Sequence, residues 1–314
     1  MNIQQLEYVV AVDNFRHFAK AAEACRVTQP TLSMMIQKLE DELEVKLFDR
    51  TKHPVEPTAI GQQIISQARV SLKHFQQVKA IVENEQQIVG GDFKLGIIPT
   101  IASYLVPVLL HQQMELGCGV ELRIKECTTA NIIREIQTGI LDGGILAGPL
   151  NHPALTEHPV YYEKFYAYVS PLDRLHEEKD VDLAHVDINS VWLLENEHCL
   201  RGQIERLCRI KRKMAAGNAH PIKFESGSID TLINVVDYNP GLTIIPEMHA
   251  MGLNEDKQEN LRPFRNVTAV REVSLAVSRD YVRRTMISFI LDLIRRSVPK
   301  SMQDPQLKSF VVDL

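Results

Sequence analysis

Apolar side chains recur at helical spacing from the first residues, with Ile3, Leu6, Val9, Val10 and Val12 forming one stripe over residues 2–13. Phe18-Ala19-Lys20-Ala21-Ala22-Glu23-Ala24 is rich in the strongest helix former and predicts a short second helix. Cys25-Arg26-Val27 breaks the pattern as a turn. Thr28 is a good N-cap for a third helix, and Pro30 falls in its first turn, where a missing N–H costs nothing. On that helix Leu32, Met35, Ile36 and Leu39 face inward, which leaves Ser33, Met34, Gln37 and Lys38 outside. Two helices joined by so short a turn, the second opening on small polar residues, read as a helix-turn-helix. Residues 45–50 and 55–57 follow as a strand pair around Thr51-Lys52-His53-Pro54, a wing. From Thr58 a single stripe of Ile64, Ile65, Ala68, Leu72, Phe75, Val78 and Val82 predicts one helix to about Val89. A solitary helix of that length needs a partner for its apolar face, and the same helix of a second copy supplies one.

After Gly90-Gly91 the period changes. Strand-like runs at 93–98, 120–124, 143–147, 166–169, 191–194, 242–246 and 273–277 alternate with helical stretches. Those helices start at Pro99-Thr100, then cover 130–138, 229–236 and 281–296. This rhythm predicts right-handed crossovers and a mostly parallel sheet, folded as two small α/β lobes with a cleft between them. The expected organisation is therefore a winged helix-turn-helix over 1–58, a linker and dimerisation helix over 59–89, and a two-lobed α/β regulatory domain over 90–300. Lobe I takes about 92–163 and 267–300, and lobe II about 164–266. Residues 301–314 are a tail without a clear signal.

Composition adds limits. A chain of 314 residues with 45% hydrophobic and 24% charged positions is an ordinary globular protein. It has no apolar run near the ~20 residues of a membrane helix and no basic-then-apolar leader, so a cytoplasmic location with no membrane partner is expected. The net charge of −5 does not advertise nucleic-acid binding. Within residues 1–60, nine acidic residues face seven basic ones, although the acids cluster at 40–44, away from the proposed reading face. Pattern alone leaves a plain helical packing module as open as a DNA reader. Five cysteines, Cys25, Cys118, Cys127, Cys199 and Cys208, are an odd number with no CxxC and no paired Cys/His spacing. Any disulfide among them is then transient or regulatory, and neither a metal nor a cofactor is expected. Cys25 and Cys118 read as inert.

Motifs shift the balance. Phe18-Ala19-x-Ala21-Ala22, Thr28-Gln29-Pro30-Thr31-Leu32-Ser33, Ile36-x-x-Leu39-Glu40-x-x-Leu43, Leu47-Phe48-x-Arg50 and Thr58-x-x-Gly61 together resemble the DNA-binding head and linker helix of the LysR-type transcriptional regulators. Ile60 stands where that family usually has alanine. The resemblance implies that Thr28, Gln29, Pro30, Thr31 and Ser33, with Gln37 and Lys38 one turn on, meet phosphates and base edges, while Arg50 and Lys52 serve the wing. It further implies a regulatory domain similar to periplasmic binding proteins, a homodimer or homotetramer, palindromic double-stranded DNA as target and RNA polymerase as partner. Such a chain is a regulator rather than an enzyme.

Residues 198–213 hold two thiols nine positions apart, with six Arg/Lys and a single Glu. Nearby positive charge lowers a thiol's pKa. His198 and Arg201 are placed to act on Cys199, and the run from Arg209 to Lys213 on Cys208, although such runs also serve simply as solvated faces. Leu200, Ile204, Leu207, Ile210 and Met214 form one helical stripe with Cys208 at its edge. Nine helical residues turn through about 180° and rise ~13.5 Å, whereas a disulfide needs Cα atoms within ~7 Å. A bond between the two requires the segment to be rebuilt.

Thr100, Thr129 and His198 all fall at the C-terminal ends of predicted strands, where helix N-termini face ligands. His198-Cys199-Leu200-Arg201-x-Gln203 followed by Cys208 resembles the sensor segment of peroxide-responsive members of the same family. Ile97-Ile98-Pro99-Thr100 and Thr129 stand where those members hold peroxide. The resemblance implies that Cys199 attacks hydrogen peroxide, that Cys208 resolves the product to a disulfide, and that Thr100, Thr129 and His198 form the pocket. A cellular thiol reductant resets the switch. Gly143-Gly144 and Cys127 depart from the usual pattern near that pocket. Two other readings stay open: a regulator whose cleft takes a small metabolite, the cysteines being incidental, and a thiol peroxidase fused to a helical domain.

Overall fold

The computed structural model describes residues 1–85, 89–117, 119–183, 186–187, 190–195, 199–208, 224, 226–265 and 267–312. Two compact units emerge, one built on residues 1–88 and the other on most of the remaining chain.

The first unit opens with α1 (Ile3–Phe15), α2 (Phe18–Ala24) and α3 (Gln29–Leu43). Each helix starts on a side-chain cap: Asn2 with Gln5 in a capping box, His17 Nδ1, and Thr28 Oγ1. Arg26, at φ 56°, turns the chain between α2 and α3. Leu32, Ile36 and Leu39 are fully buried against Val9, Val12 and Ala21, as their spacing predicts. The wing is shorter than expected, with β1 (Phe48–Asp49) and β2 (Glu56–Pro57) pairing over two residues each. Buried Glu40 accepts the backbone N–H of Leu47 at 2.8 Å and so ties the end of α3 to β1.

Thr58 then caps α4 (Ala59–Glu85) by accepting from Gly61 N–H at 2.9 Å. A Cβ at Gly61 would lie 2.0 Å from the Leu47 carbonyl oxygen, so this close approach of helix to wing requires glycine. Along α4, Phe75, Val78, Ile81 and Val82 are more than half exposed, an apolar stripe uncovered in the single chain.

The second unit runs β3 (Gly91–Ile97), α5 (Pro99–Leu116), β4 (Val120–Glu126), α6 (Thr129–Gln137), β5 (Gly143–Gly148) and β6 (Leu155–Val169). It continues through α7 (Cys199–Leu207), α8 (Ile229–Tyr238), β7 (Leu242–Pro246), α9 (Glu247–Met251) and α10 (Glu255–Gln258). It ends with β8 (Leu261–Arg262), β9 (Val270–Ser278) and α11 (Arg284–Arg296). The strand order is β4-β3-β5-β9-β6-β7, with β8 also on β6.

The sheet is less parallel than the sequence rhythm suggests. Among the strands of the described residues, β3 with β4 and β3 with β5 are parallel, while β5–β9, β6–β9, β6–β7 and β6–β8 are antiparallel. The cause is β6, a strand of 15 residues whose first part, unassigned from sequence, pairs with β9 and whose last part pairs with β7. A register shift between Pro159 and Tyr161 interrupts the pairing with β9, and the strand changes partner from β9 to β7 between Lys164 and Phe165. Residues 191–194, expected as a strand, make only single bridges, Val191 to Leu242 and Leu194 to Ser226. Lobe II has its own core, in which Leu200 and Ile204 of α7 meet Leu232, Ile233 and Val236 of α8. The tail carries more structure than its sequence signals: Met302 is buried and Val312 N–H donates to Val270 O at 2.9 Å.

Candidate redox site and DNA-reading face

Cys199 is the first residue of α7, and its sulfur lies 2.8 Å from the hydroxyl of Thr129, the first residue of α6. Either atom can donate in that pair. Two helix N-termini from different lobes therefore meet at the thiol, and helix N-termini favour negative charge. Cys199 and Cys208 are both free and only partly exposed.

The helix continues through Cys208, whose N–H donates to Ile204 O at 3.0 Å, so the two thiols stand nine helical positions apart as the spacing predicts. Leu200 and Ile204 are buried, and Leu207 and Cys208 pack against the same lobe II core. Burial pushes the Cys208 thiol up to about 11. The sequence reading, in which the basic run favours a Cys208 thiolate, is corrected here. Desolvation dominates, and in this packing Cys208 is a thiol near neutral pH. Arg201 is also otherwise engaged, its Nε on Glu205 at 3.0 Å and its Nη1 on the Leu194 carbonyl at 2.9 Å.

Two features of the site were not foreseen. Gln203, one turn past Cys199, is fully buried, and its side-chain amide has no hydrogen-bond partner among the described residues. Thr100 is buried and held by Arg271, whose Nη1 donates to its hydroxyl at 3.1 Å and Nη2 to its carbonyl at 3.0 Å. Glu163 balances that arginine at 2.6 Å, both side chains being buried. A buried charge pair survives only when it is also hydrogen-bonded, as here through Thr100. No spacing rule links Arg271 to Thr100, which is 171 positions away.

The structure thus brings Thr129 to Cys199, while the Thr100 hydroxyl is directed at Arg271. Beside Thr100, a small cleft of about 80 Å³ is lined by Pro99, Thr100, Ser103, Glu126, Gly227, Ser228 and Ile229. Gly143-Gly144 begin β5, with Ile132 packed over Gly144, so they shape the core. Cys127 anchors the end of β4 through its N–H to Ile97 O at 3.0 Å. His198, the residues 209–213, Ile210 and Met214 in their stripe, and Cys118 lie outside the described residues. Among the described residues no group of three or more His, Cys, Asp or Glu is placed to hold a metal ion, and no helix is long and apolar enough to cross a membrane.

On the first unit, Thr28, Gln29, Pro30, Thr31, Gln37 and Lys38 are exposed along α3, with Ser33 partly so. Thr28 and Thr31 hydroxyls are 2.8 Å apart. A broad groove of about 590 Å³ between α2, α3 and the wing is lined by Lys20, Gln29, Ser33, Arg50 and His53, among others. Arg50 is half committed inward, with Nη2 on Glu40 and Nη1 on Ser33 Oγ, both at 3.3 Å. Lys52 pairs with Glu56 across the wing.

Residues 3–62 match the model of the bacterial regulatory helix-turn-helix protein, lysR family, and residues 86–299 match the LysR substrate binding domain. The chain belongs to the LysR family of bacterial regulators. It is 33% identical over 262 residues to a hydrogen peroxide-inducible genes activator of Haemophilus influenzae, covering 83% of this chain and 85% of that one. The DNA-binding transcriptional dual regulator OxyR of Escherichia coli is also 33% identical, over 248 residues, with 79% and 80% covered. Among solved structures, a full-length OxyR variant from Pseudomonas aeruginosa superposes with a TM-score of 0.78 at 29% identity, covering 94% of this chain and 98% of that one. The fold expected from sequence, a winged helix-turn-helix and linker helix before a two-lobed α/β regulatory domain, is the one found in this LysR protein, and the resemblance to OxyR holds across both domains.

Proposed function

We propose that this LysR-family regulator binds palindromic promoter DNA as a homodimer or homotetramer and is switched by hydrogen peroxide through Cys199 and Cys208. The observation that carries the reading is the Cys199 sulfur against the Thr129 hydroxyl at the meeting of two helix N-termini. The relatives named as peroxide-inducible activators and OxyR give it independent support.

The chemistry balances without a cofactor. The Cys199 thiolate attacks one peroxide oxygen, forming an S–O bond as the O–O bond breaks. The leaving hydroxide takes a proton and departs as water, and Thr129, together with Thr100 and His198, holds the peroxide by hydrogen bonds. The Cys208 thiolate then attacks the sulfenic sulfur, forming S–S as S–O breaks and a second water leaves. A cellular thiol reductant returns both cysteines to thiols.

Because α7 holds the two sulfurs nine residues apart, the second step requires α7 to unravel and Cys208 to leave the core. That movement is the signal passed to the DNA-reading heads, where Thr28, Gln29, Pro30, Thr31, Ser33, Gln37, Lys38, Arg50 and Lys52 meet the DNA, and to RNA polymerase.

Sulfenic acid trapping tests the reading. With Cys208→Ser and a stoichiometric dose of peroxide, a dimedone adduct is expected on Cys199 and on no other cysteine. An adduct confined to Cys127 or Cys25, or none at all, sinks the proposal.

A further inference from the structure

Cys199 and Thr129 belong to different lobes, so their 2.8 Å contact exists only while the lobes hold one spacing. A second contact between the lobes lies on α5, one turn beyond Thr100. Tyr104 projects from lobe I onto α8 and α9 of lobe II. Its ring stands edge-on to His249 with centroids 4.4 Å apart, and its hydroxyl faces Asp230, whose carboxylate adds to burial in raising the phenol's pKa. Asp230 Oδ1 also lies 3.2 Å from His249 Nε2, without the alignment of a hydrogen bond.

The backbone of lobe II is shaped for this ring. A Cβ at Gly252 would come within 2.5 Å of the Tyr104 ring, so only glycine lets the tyrosine seat there. His249 is 1% exposed, and burial holds its ring neutral near neutral pH, with a pKa of about 4. The groups facing that pair are Asp230 and Arg271. Nothing in the chemistry proposed above uses Tyr104, Asp230 or His249.

The two contacts are mechanically linked. Thr100 and Tyr104 share one face of α5 at i,i+4 spacing, and Arg271 clamps that first turn. The start of α6 is tied to the same frame, since β4 pairs with β3 along its length and Cys127 N–H bonds Ile97 O. On the lobe II side, α8 follows Ser226, which accepts from Glu195 N–H on the segment leading into Cys199. A shift of α5 against α8 and α9 therefore moves Thr129 relative to Cys199.

We propose that Tyr104 is a positioning residue for Cys199 oxidation. Its contacts with Asp230, His249 and the Gly252 backbone latch the lobes at the spacing that sets the Thr129 hydroxyl on the Cys199 sulfur. The proposal rests on the peroxide-sensing reading and adds to it a tuning element outside the pocket.

The test uses the reduced full-length chain with all its cysteines, comparing wild type, Tyr104→Phe and Asp230→Asn. Three rates are followed by peptide mass spectrometry: loss of the Cys199 thiol to hydrogen peroxide, and alkylation of Cys199 and of Cys208 by iodoacetamide. Both substitutions keep size and shape, so the lobes stay folded. The expected result is an about tenfold slower peroxide reaction, the order of loss that misplacing a reacting group by less than an ångström produces. Cys199 alkylation holds or rises, because iodoacetamide needs no Thr129, and Cys208 stays as protected as in wild type. An unchanged peroxide rate, an equal fall in both Cys199 rates, or a loss of Cys208 protection each overturns the latch. Failure of wild-type Cys199 to react with peroxide is a separate outcome that overturns the underlying reading instead.

Discussion

Helix α3 and helix α7 are both amphipathic, both carry an apolar stripe into a core, and both begin at a residue given a functional role. They differ in how completely their polar groups are satisfied. In α3 the cap is made by Thr28, and the one buried acid, Glu40, receives the Leu47 N–H and the cations of Lys46 and Arg50. In α7, Gln203 is buried with no hydrogen-bond partner for its amide among the described residues, and Cys208 is a half-buried thiol. A buried polar group without a partner costs about 1–3 kcal/mol. Helix α3 is tied down by these contacts, whereas α7 carries a buried amide that no described residue satisfies, a cost that would ease the rearrangement proposed for it.

Substitutions can break this comparison from either side. The largest effect is expected in the reading unit, where Gly61→Ala drives a methyl group into the Leu47 carbonyl. Overpacking typically costs about 1–3 kcal/mol and occasionally more, and with backbone as the obstacle the upper end is expected, so thermal unfolding of the first unit should fall sharply while Cys199 chemistry persists. On α7, Gln203→Leu removes the amide that no described residue satisfies. It should stabilise the reduced protein by roughly 1–2 kcal/mol and slow disulfide formation. A destabilised reduced state would contradict the cost assigned to that amide.

Cys208 gives a pH arm to the same comparison. Its folded pKa is raised to about 11 by burial, above that of an exposed thiol. Its contribution to stability is therefore complete below about pH 8.5 and lost as pH rises towards 11. Alkylation of Cys208 should climb through that same window in reduced protein and shift to the ordinary thiol range once urea unpacks lobe II. The smallest effect is at the turn before α3. Arg26→Gly relieves a left-handed residue at φ 56° and should stabilise the reading unit by about 0.5–1 kcal/mol, read as a modest rise in melting temperature.

The same contrast explains what the sequence disclosed. The helix-turn-helix was legible because its rules are local: a cap at Thr28, a proline two residues on, apolar residues at helical spacing, and Thr58-x-x-Gly61 at the start of the linker. The Cys199–Cys208 pair was legible for a similar reason, since helical geometry alone says how far apart nine residues stand. What escaped depended on distant pairing. The first half of β6 holds a proline and alternates poorly, so only β9, more than 100 residues later, makes it a strand. Arg271 reaches Thr100 and Glu163 across comparable separations. The buried state of Cys208 reversed an inference from neighbouring charge, because burial is set by the fold and the basic run by the chain.

Footprinting joins the two helices in one measurement. Wild type, Cys199→Ser and Cys208→Ser are bound to a palindromic promoter site, each with and without hydrogen peroxide. An oxidant-dependent change of footprint is expected in wild type and none in either variant, while all three bind DNA when reduced. A footprint change that survives Cys199→Ser, or a wild-type footprint indifferent to peroxide, contradicts the proposed switch.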